Sequence, residues 1–237
     1  MAQLATSTVG AAIAVKDLEI RIRGDRGSYP VVADMALTVE RGGTLCIVGE
    51  SGCGKSMTAL SLLRLLPDAA SASKGSIEIN GEDFLAMPER RVEDLRGVEI
   101  AMIFQEPLTA LNPVLTIGEQ IAESVRRHKK LAHKAAMARA IETLQLVQMP
   151  DPARRAKQFP HELSGGQRQR AMIALALACD PKILVADEPT TALDVTVQAQ
   201  ILELIADLQK RLGTALVLIT HDLGVVAEVA DRVVVMY

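Results

Sequence analysis

The sequence predicts an α/β fold made of a largely parallel sheet, antiparallel strands beside it, and an inserted helical segment. Short runs rich in Val and Ile alternate with amphipathic stretches of helical length, which is typical of a parallel sheet covered by helices. Some early runs depart from that alternation and suggest antiparallel strands. The middle of the chain shows helical periodicity, so we expect a helical insertion in an α/β core.

The expected strands and helices of the core can be given in chain order. Candidate antiparallel strands are Ala14–Arg23, Val31–Val39 and Ser76–Asn80. Candidate strands of the parallel core are Thr44–Val48, Ile100–Phe104, Ile183–Ala186, Ala215–Ile219 and Arg232–Met236. Helices are expected from Lys55 to about Leu66, over Gln167–Ala178 and over Val195–Arg211.

The inserted segment is expected to hold two amphipathic helices. Ile117–Arg127 and Lys134–Val147 carry apolar residues at three- and four-residue spacing, and several prolines follow them. We therefore assign residues 107–159 to a helical subdomain. Residues 1–106 and 160–237 form the core with its antiparallel strands, within one domain.

Composition argues against several classes of protein. The net charge of −3, two Tyr, three Phe and no Trp argue against a nucleic-acid-binding surface. No apolar run is long enough to span a membrane, and three scattered cysteines predict neither a disulfide framework nor a metal cluster. The basic run at residues 126–134 is interpreted as a solvated helix end, with His128 and His133 at the surface. A lipid- or nucleic-acid-binding patch is the alternative interpretation of that run.

A phosphate-binding loop follows the first core strand. Its residues are Gly49, Glu50, Ser51, Gly52, Cys53, Gly54, Lys55 and Ser56, which fit G-x-x-x-x-G-K-[ST] at every position. The glycines let backbone N–H groups line a nest for phosphate oxygens, and the positive end of the following helix adds to it. Lys55 would neutralise the β- and γ-phosphates and Ser56 would ligate Mg²⁺, with Met57 assigned to the same site. The core is therefore predicted to be a P-loop NTPase (RecA-like) core.

An acid pair at the end of a second core strand would complete the site. Asp187 and Glu188 follow the four apolar residues Ile183–Ala186. Asp187 would hold Mg²⁺ directly or through water, and Glu188 would polarise the water that attacks the γ-phosphate. Acids at a helix cap look similar in sequence. The pair is informative because it follows a complete phosphate-binding loop.

Five residues after the inserted segment give the chain a family resemblance. They read Leu163, Ser164, Gly165, Gly166 and Gln167, and this sequence resembles the signature of ABC (ATP-binding cassette) ATPases. The resemblance covers nearly the whole chain, with its motifs in family order. It implies an enzyme that hydrolyses ATP with Mg²⁺.

The resemblance also implies roles for four other positions. Gln105 matches the Q-loop glutamine, which meets Mg²⁺ and the attacking water and senses the membrane subunits. Residues 191–194, which include Asp194, resemble the D-loop that crosses to the partner subunit. His221 matches the switch histidine that contacts the γ-phosphate, and Tyr29 the aromatic that stacks on adenine. The alternatives are a packed tyrosine and a histidine in a helix-cap region.

The signature also has a physical interpretation. Ser164 and two glycines open a predicted helix and present a hydroxyl, N–H groups and the helix dipole to an anion. Lys55 and its loop already surround the phosphates from one side. The second anion-binding helix start is therefore expected to serve the ATP of another subunit. Two cassettes would meet head to tail around two ATP molecules, as a homodimer, a heterodimer or two cassettes of one polypeptide.

Two stretches give a closer resemblance within the family. Residues 104–113 and 187–200 resemble the ATPases of oligopeptide, dipeptide, glutathione and nickel importers. This implies a bacterial transport motor at the cytoplasmic face of the plasma membrane. Its partners would be integral membrane permease subunits and, indirectly, an extracytoplasmic solute-binding protein. The alternatives are a soluble subunit of a metabolic or assembly complex, as in phosphonate degradation, and a DNA-repair cassette, whose long insertions are not visible here.

The chain departs from the resemblance at three points, one of which is Gly43, where many relatives have glutamate. Cys53 stands where relatives usually have serine, and we expect its thiol to lie in the phosphate nest and react readily. A thiol that points away from the nest is the alternative. The sequence stops at Tyr237, whereas members of this group continue, so we interpret the carboxy-terminal extension as absent.

Overall fold

Two sheets meet in the computed structural model, which describes residues 10–25, 27–191 and 193–237. The strands in chain order are β1 (Ala11–Gly24), β2 (Gly27–Glu40), β3 (Thr44–Gly49), β4 (Ala70–Ile79), β5 (Glu82–Asp83), β6 (Ile100–Ile103), β7 (Ile183–Asp187), β8 (Ala215–Ile219) and β9 (Arg232–Met236). One sheet has the order β6-β7-β8-β3-β9, with parallel neighbours throughout. The other has the order β2-β1-β4-β5 and is antiparallel. The predicted division into parallel and antiparallel strands is confirmed.

Helices cover the parallel sheet. They are α1 (Lys55–Leu62), α2 (Glu89–Leu95), α3 (Pro107–Ala110), α4 (Ile117–Lys129), α5 (His133–Leu146), α6 (Pro152–Arg155), α7 (Gly165–Leu177), α8 (Val195–Leu212) and α9 (Leu223–Val229). Helix α1 ends four residues before the predicted position, because Arg64 takes the left-handed conformation with φ of 53°. The short elements α2 and β5 were not predicted.

The faces of the parallel sheet belong to different apolar clusters. Along β7, Leu184 and Ala186 pack in the cluster that contains the buried residues of α4, α5, α7 and α8. Ile183 and Val185 pack instead with the antiparallel sheet and α1. Since both faces are covered, β7 and β8 are buried along their whole length and read as continuous apolar runs.

The inserted segment packs as a layer on one side of the sheet. Helix α4 begins at the cap Thr116, whose hydroxyl accepts from the Glu119 amide, and its apolar stripe faces α5. Gly118 lies against the backbone of Ala156: a Cβ at Gly118 would stand 2.7 Å from the Ala156 carbonyl oxygen. The two predicted helices are therefore present, with ends shifted by one or two residues. Assigning them to a separate subdomain remains a prediction.

The basic run extends from the end of α4 to the start of α5, and two of its cations are paired. Arg127 contacts Glu93 at 3.2 Å, and Lys129 pairs with Asp180. His133 is exposed, as predicted, 3.7 Å from Glu119. The prediction that His128 is a surface residue needs correction: it is half-buried against Gly97, and this burial lowers the pKa of its imidazole. Within the described part of the chain, every helix is too short or too polar to cross a bilayer.

Candidate functional site

The phosphate-binding loop joins β3 to α1 at the carboxyl edge of the parallel sheet. Gly54 has φ of 97°, and a Cβ there would stand 2.6 Å from the Val31 carbonyl oxygen. Only glycine fits this approach of β2 to the loop. The amide of Thr58 then donates to the Gly54 carbonyl at 2.9 Å as the first helical turn closes. The strand–loop–helix context predicted for the motif is therefore present.

Lys55 is the buried cation of this loop. Its side chain is 6% exposed, and Nζ donates to the carbonyl oxygens of Gly49 at 2.9 Å and Glu50 at 2.8 Å. A buried ammonium requires such partners, because desolvation without hydrogen bonds is costly. The loop thus holds its own lysine within the turn that would surround the phosphates.

Ser56 and Asp187 come together although they are far apart in sequence. Ser56 Oγ donates to Asp187 Oδ1 at 3.2 Å. Burial, together with the nearby charge of Glu188, raises the pKa of the Asp187 carboxyl against the lowering effects of Ser56 and Lys55. A hydroxyl and a carboxylate are the hard oxygen donors that Mg²⁺ accepts. No cluster of three or more His, Cys, Asp or Glu suited to a metal occurs in the described ranges. This is compatible with Mg²⁺ that takes its other ligands from phosphates and water.

Glu188 is the point at which separate segments converge. Its Oε2 accepts from Gln105 Nε2 at 3.3 Å and from Thr191 Oγ1 at 3.2 Å. His221 Nδ1 lies 3.8 Å from the same oxygen, and Lys55 Nζ lies 3.9 Å from Oε1. The structure therefore brings together the four residues that the sequence assigned to catalysis. Sequence reasoning placed Thr191 in the D-loop but gave its hydroxyl no role at Glu188. The signal for that contact was a hydroxyl three residues after the carboxylate.

The signature residues occupy the start of α7. Ser164 Oγ accepts from the Gln167 amide at 3.4 Å, and the Ser164 amide donates to Gln167 Oε1 at 3.2 Å. These two bonds form a capping box. Cβ atoms at the two glycines would stand 3.4 Å (Gly165) and 3.0 Å (Gly166) from the side chains of Leu193 and Val197. The contacts of the signature therefore run to the D-loop and α8, as far as the described residues show.

Asp194 lies in the D-loop beside the signature, and Tyr29 lies near the phosphate-binding loop. Asp194 caps α8, accepting from the Val197 amide at 3.0 Å, which is a local role in addition to the predicted one. Ala192, also in the D-loop, is outside the described residues. Tyr29 is 48% exposed in β2, two residues before Val31, which touches the phosphate-binding loop. Stacking on adenine remains a prediction.

Cys53 and Met57 turn their side chains toward the protein. Both pack against the apolar cluster on the antiparallel side of the sheet. The Cys53 sulfur lies 2.8 Å from the position of a Cβ on Gly49, and the residue lines a cavity of about 550 Å³ with Pro30–Ala36 and Val234–Tyr237. This packing is nearer to the alternative of a half-buried thiol than to a thiol within the nest.

Comparisons with known proteins give the same family as the motifs. Residues 32–191 match the family model described as ABC transporter. The probable peptide ABC transporter ATP-binding protein y4tR of Sinorhizobium fredii is 54% identical over 224 residues, which are 94% of this chain and 67% of that protein. The oligopeptide transport ATP-binding protein OppD of Bacillus subtilis is 52% identical over 224 residues, or 94% of this chain and 63% of OppD. The chain thus spans about two thirds of the length of these relatives.

A solved structure agrees with the fold. The dimeric structure of a post-hydrolysis state of the ATP-binding cassette MJ0796 bound to ADP and Pi superposes with a TM-score of 0.84. The match covers 94% of both chains at 27% identity. The predicted P-loop NTPase fold is confirmed.

Proposed function

Because this chain belongs to the ABC transporter family as an ATP-binding, ATP-hydrolysing subunit, we propose that it is the motor of an importer for peptides or similar small solutes. One observation carries the catalytic part: side chains from three segments converge on Glu188 beside the phosphate lysine. The peptide-like substrate is supported by the peptide and oligopeptide transport for which the two relatives are named.

In this proposal Glu188 is the general base. It takes a proton from a water whose oxygen attacks the γ-phosphorus, while the bond to the β–γ bridging oxygen breaks and ADP departs with the electron pair. Gln105 orients that water, His221 contacts the γ-phosphate, and Lys55 binds the β- and γ-phosphates. Ser56, Asp187 and Gln105 would hold Mg²⁺, which when bound neutralises phosphate charge.

We further propose that two cassettes sandwich ATP head to tail. Gly165 and Gly166 lie in the first turn of α7, where backbone N–H groups and the helix dipole favour an anion. Their contacts run to the D-loop side and not to the phosphate-binding loop of the same chain. The dimeric state of the MJ0796 cassette supports this arrangement.

The proposed membrane partner is a permease that docks beside Gln105 at the cytoplasmic face. Strand β6 is an edge strand, and an apolar cavity of about 190 Å³ opens next to it, lined in part by Leu65, Phe104 and Ala110. Such a cavity could take an apolar side chain from a cytoplasmic loop of the permease. The solute-binding protein would act through the permease.

Co-purification tests the importer proposal. The chain should be expressed with its neighbouring genes and isolated through an affinity tag, and a multispanning membrane subunit is expected in the complex. Cysteines placed at Leu108 and, as a control on the opposite face, at Ala36 should crosslink to that subunit only from Leu108. Stable association with soluble metabolic enzymes and no membrane subunit would favour the alternative complex.

A further inference from the structure

The two oxygens of the Glu188 carboxylate have different surroundings. Oε2 accepts from Gln105 and Thr191, at 3.3 and 3.2 Å, and lies 3.8 Å from His221 Nδ1. Oε1 has the Lys55 ammonium at 3.9 Å. Lys55 belongs to the phosphate-binding loop, so Oε1 faces the cation of that loop. Oε2 is therefore anchored by hydrogen-bond donors, whereas the neighbour of Oε1 is an ammonium 3.9 Å away.

Thr191 differs from the other neighbours of Oε2. Gln105 and His221 follow separate strands and have proposed roles at the nucleotide. Thr191 belongs to the same turn as Glu188, and its amide donates to the Glu188 carbonyl at 3.2 Å. Its β-branched side chain has few rotamers, so the hydroxyl is held in place by the backbone of the turn. The hydroxyl can thus anchor the carboxylate independently of nucleotide contacts.

The backbone of Glu188 is equally constrained. Its φ is 42°, an unusual value for a residue with a side chain, and its amide donates to the Ile219 carbonyl at 3.0 Å. With the backbone fixed, the remaining freedom of the base lies in its side-chain torsions. A donor on Oε2 removes much of that freedom.

We propose that Thr191 is a positioning residue whose hydroxyl fixes Oε2 of Glu188 and so holds the carboxylate in the orientation in which it acts on the attacking water. This inference rests on the proposed role of Glu188 as general base. Thr191 itself exchanges no proton with substrate. The hydroxyl increases the fraction of time in which the base is aligned for reaction. That fraction affects kcat and not the affinity for ATP.

The experiment compares Thr191→Val, which keeps the shape and removes the hydroxyl, with Thr191→Ser, which keeps the hydroxyl. We expect Thr191→Val to lower kcat about 10-fold, as for loss of a hydrogen bond to a charged group, with the KM for ATP nearly unchanged. Thr191→Ser should retain kcat within about twofold. Steady-state ATPase assays measure both values, and melting temperatures check folding. Equal kcat for Thr191→Val and the unmodified chain, or equal loss in both variants, would overturn the proposal.

A double substitution, made in the Glu188→Gln variant, distinguishes a positioning role of Thr191 from a structural role of the loop. In Glu188→Gln the base is absent, so adding Thr191→Val should change neither the residual hydrolysis nor ATP-dependent dimer formation. A further 10-fold loss there would mean that the hydroxyl acts elsewhere and would overturn the inference. If Glu188→Gln alone turns over normally, the base assignment itself fails. If it is inactive and Thr191→Val is normal, only the Thr191 inference fails.

Discussion

Two regions are proposed to bind an anion, but different contacts hold them together: the phosphate edge, which is the phosphate-binding loop with Gln105, Asp187 and Glu188, and the signature at the start of α7. At the phosphate edge, side chains from distant segments bond to one another, as Ser56 does to Asp187 and Gln105 to Glu188. At the signature, the bonds of Ser164 close within its own helical turn with Gln167. The first region is therefore assembled by tertiary structure, whereas the second is a locally stable helix start.

This difference predicts whether a substitution in each region acts on the chain that carries it or on its partner. The phosphate edge holds the proposed base, a buried cation and oxygen donors in one chain, so single substitutions there should act within that chain. In the proposed dimer, the capped helix start of the signature would bind an anion held by another subunit. A chain with a substituted signature should therefore regain an active ATP site when its partner supplies an intact signature. A chain with a substituted phosphate edge should keep an inactive site at its own loop, whatever the partner supplies.

The largest effect is expected for Glu188→Gln. Without a general base, turnover should fall at least about a hundredfold, while Mg-ATP still binds and an ATP-bound dimer accumulates. ATPase assays and size-exclusion chromatography with ATP measure these outcomes. Lys55→Ala is the matched comparison, because loss of a ground-state charge should weaken nucleotide binding itself. Near-normal turnover in Glu188→Gln would remove that residue from the catalytic role.

A mixing experiment sharpens the comparison of the two regions. Lys55→Ala and Ser164→Arg should each be nearly inactive alone. In a mixed head-to-tail dimer, one site would combine an intact loop with an intact signature, so equal mixing should restore roughly a quarter of the activity by random pairing. ATPase activity across mixing ratios measures this recovery. If no ratio restores activity, either the two regions serve the same subunit's ATP or both sites must be intact. A tandem dimer carrying both substitutions in one half, which leaves no intact site, is the control.

A smaller and opposite effect is expected for the stability of Asp187→Asn without nucleotide. Because burial raises the pKa of Asp187, its ionised form opposes folding at neutral pH, and stability falls as pH rises through that raised pKa. Asparagine removes the buried charge and should raise Tm by about 2–4 °C for each kcal/mol recovered, while hydrolysis is lost. Thermal unfolding at pH 7 measures the gain. The gain should vanish at about pH 3 and below, where aspartate is protonated in both the folded and the unfolded state.

The smallest effect concerns the three cysteines. Burial, with a contribution from Asp231, raises the pKa of Cys46 to about 11, and burial also raises that of Cys179. Both thiols should react slowly at pH 8, because the thiolate is the nucleophile. Cys53 is half-buried and should be alkylated first. Peptide mapping with and without Mg-ATP tests its environment: protection by ATP would favour the nest, and labelling that ignores ATP would favour the packed position.

Much of the fold could be predicted because local patterns decide it. The buried runs of β7 and β8 and the glycine-lysine loop require a particular backbone wherever they occur. The end of α1 could not be predicted, because the left-handed Arg64 donates to the carbonyls of Phe84 and Met87, far along the chain. Likewise, half-burial of His128 depends on its packing against Gly97.

In the candidate site, too, some residues could be selected from the sequence and others could not. Motif spacing selected Lys55 and Glu188 as candidates, because the chemistry of phosphate transfer restricts which residues can stand there, and the structure places Lys55 Nζ 3.9 Å from Glu188 Oε1. The hydroxyl of Thr191 could not be selected from sequence, since its contact depends on the unusual φ of Glu188 and the turn that follows. The orientation of Cys53 depends on β9 and β2, which meet the loop only in the folded chain.

The alternation of side chains along β7 has an evolutionary consequence. Adjacent residues of this strand face different apolar clusters, while its carboxyl end carries Asp187 and leads to Glu188. Repacking on one face therefore alters every second side chain and leaves the hydrogen-bonded ladder intact. Substitutions in the helical layer can therefore be accepted without changing the side chains on the other face of β7, or Asp187 and Glu188 at its carboxyl end.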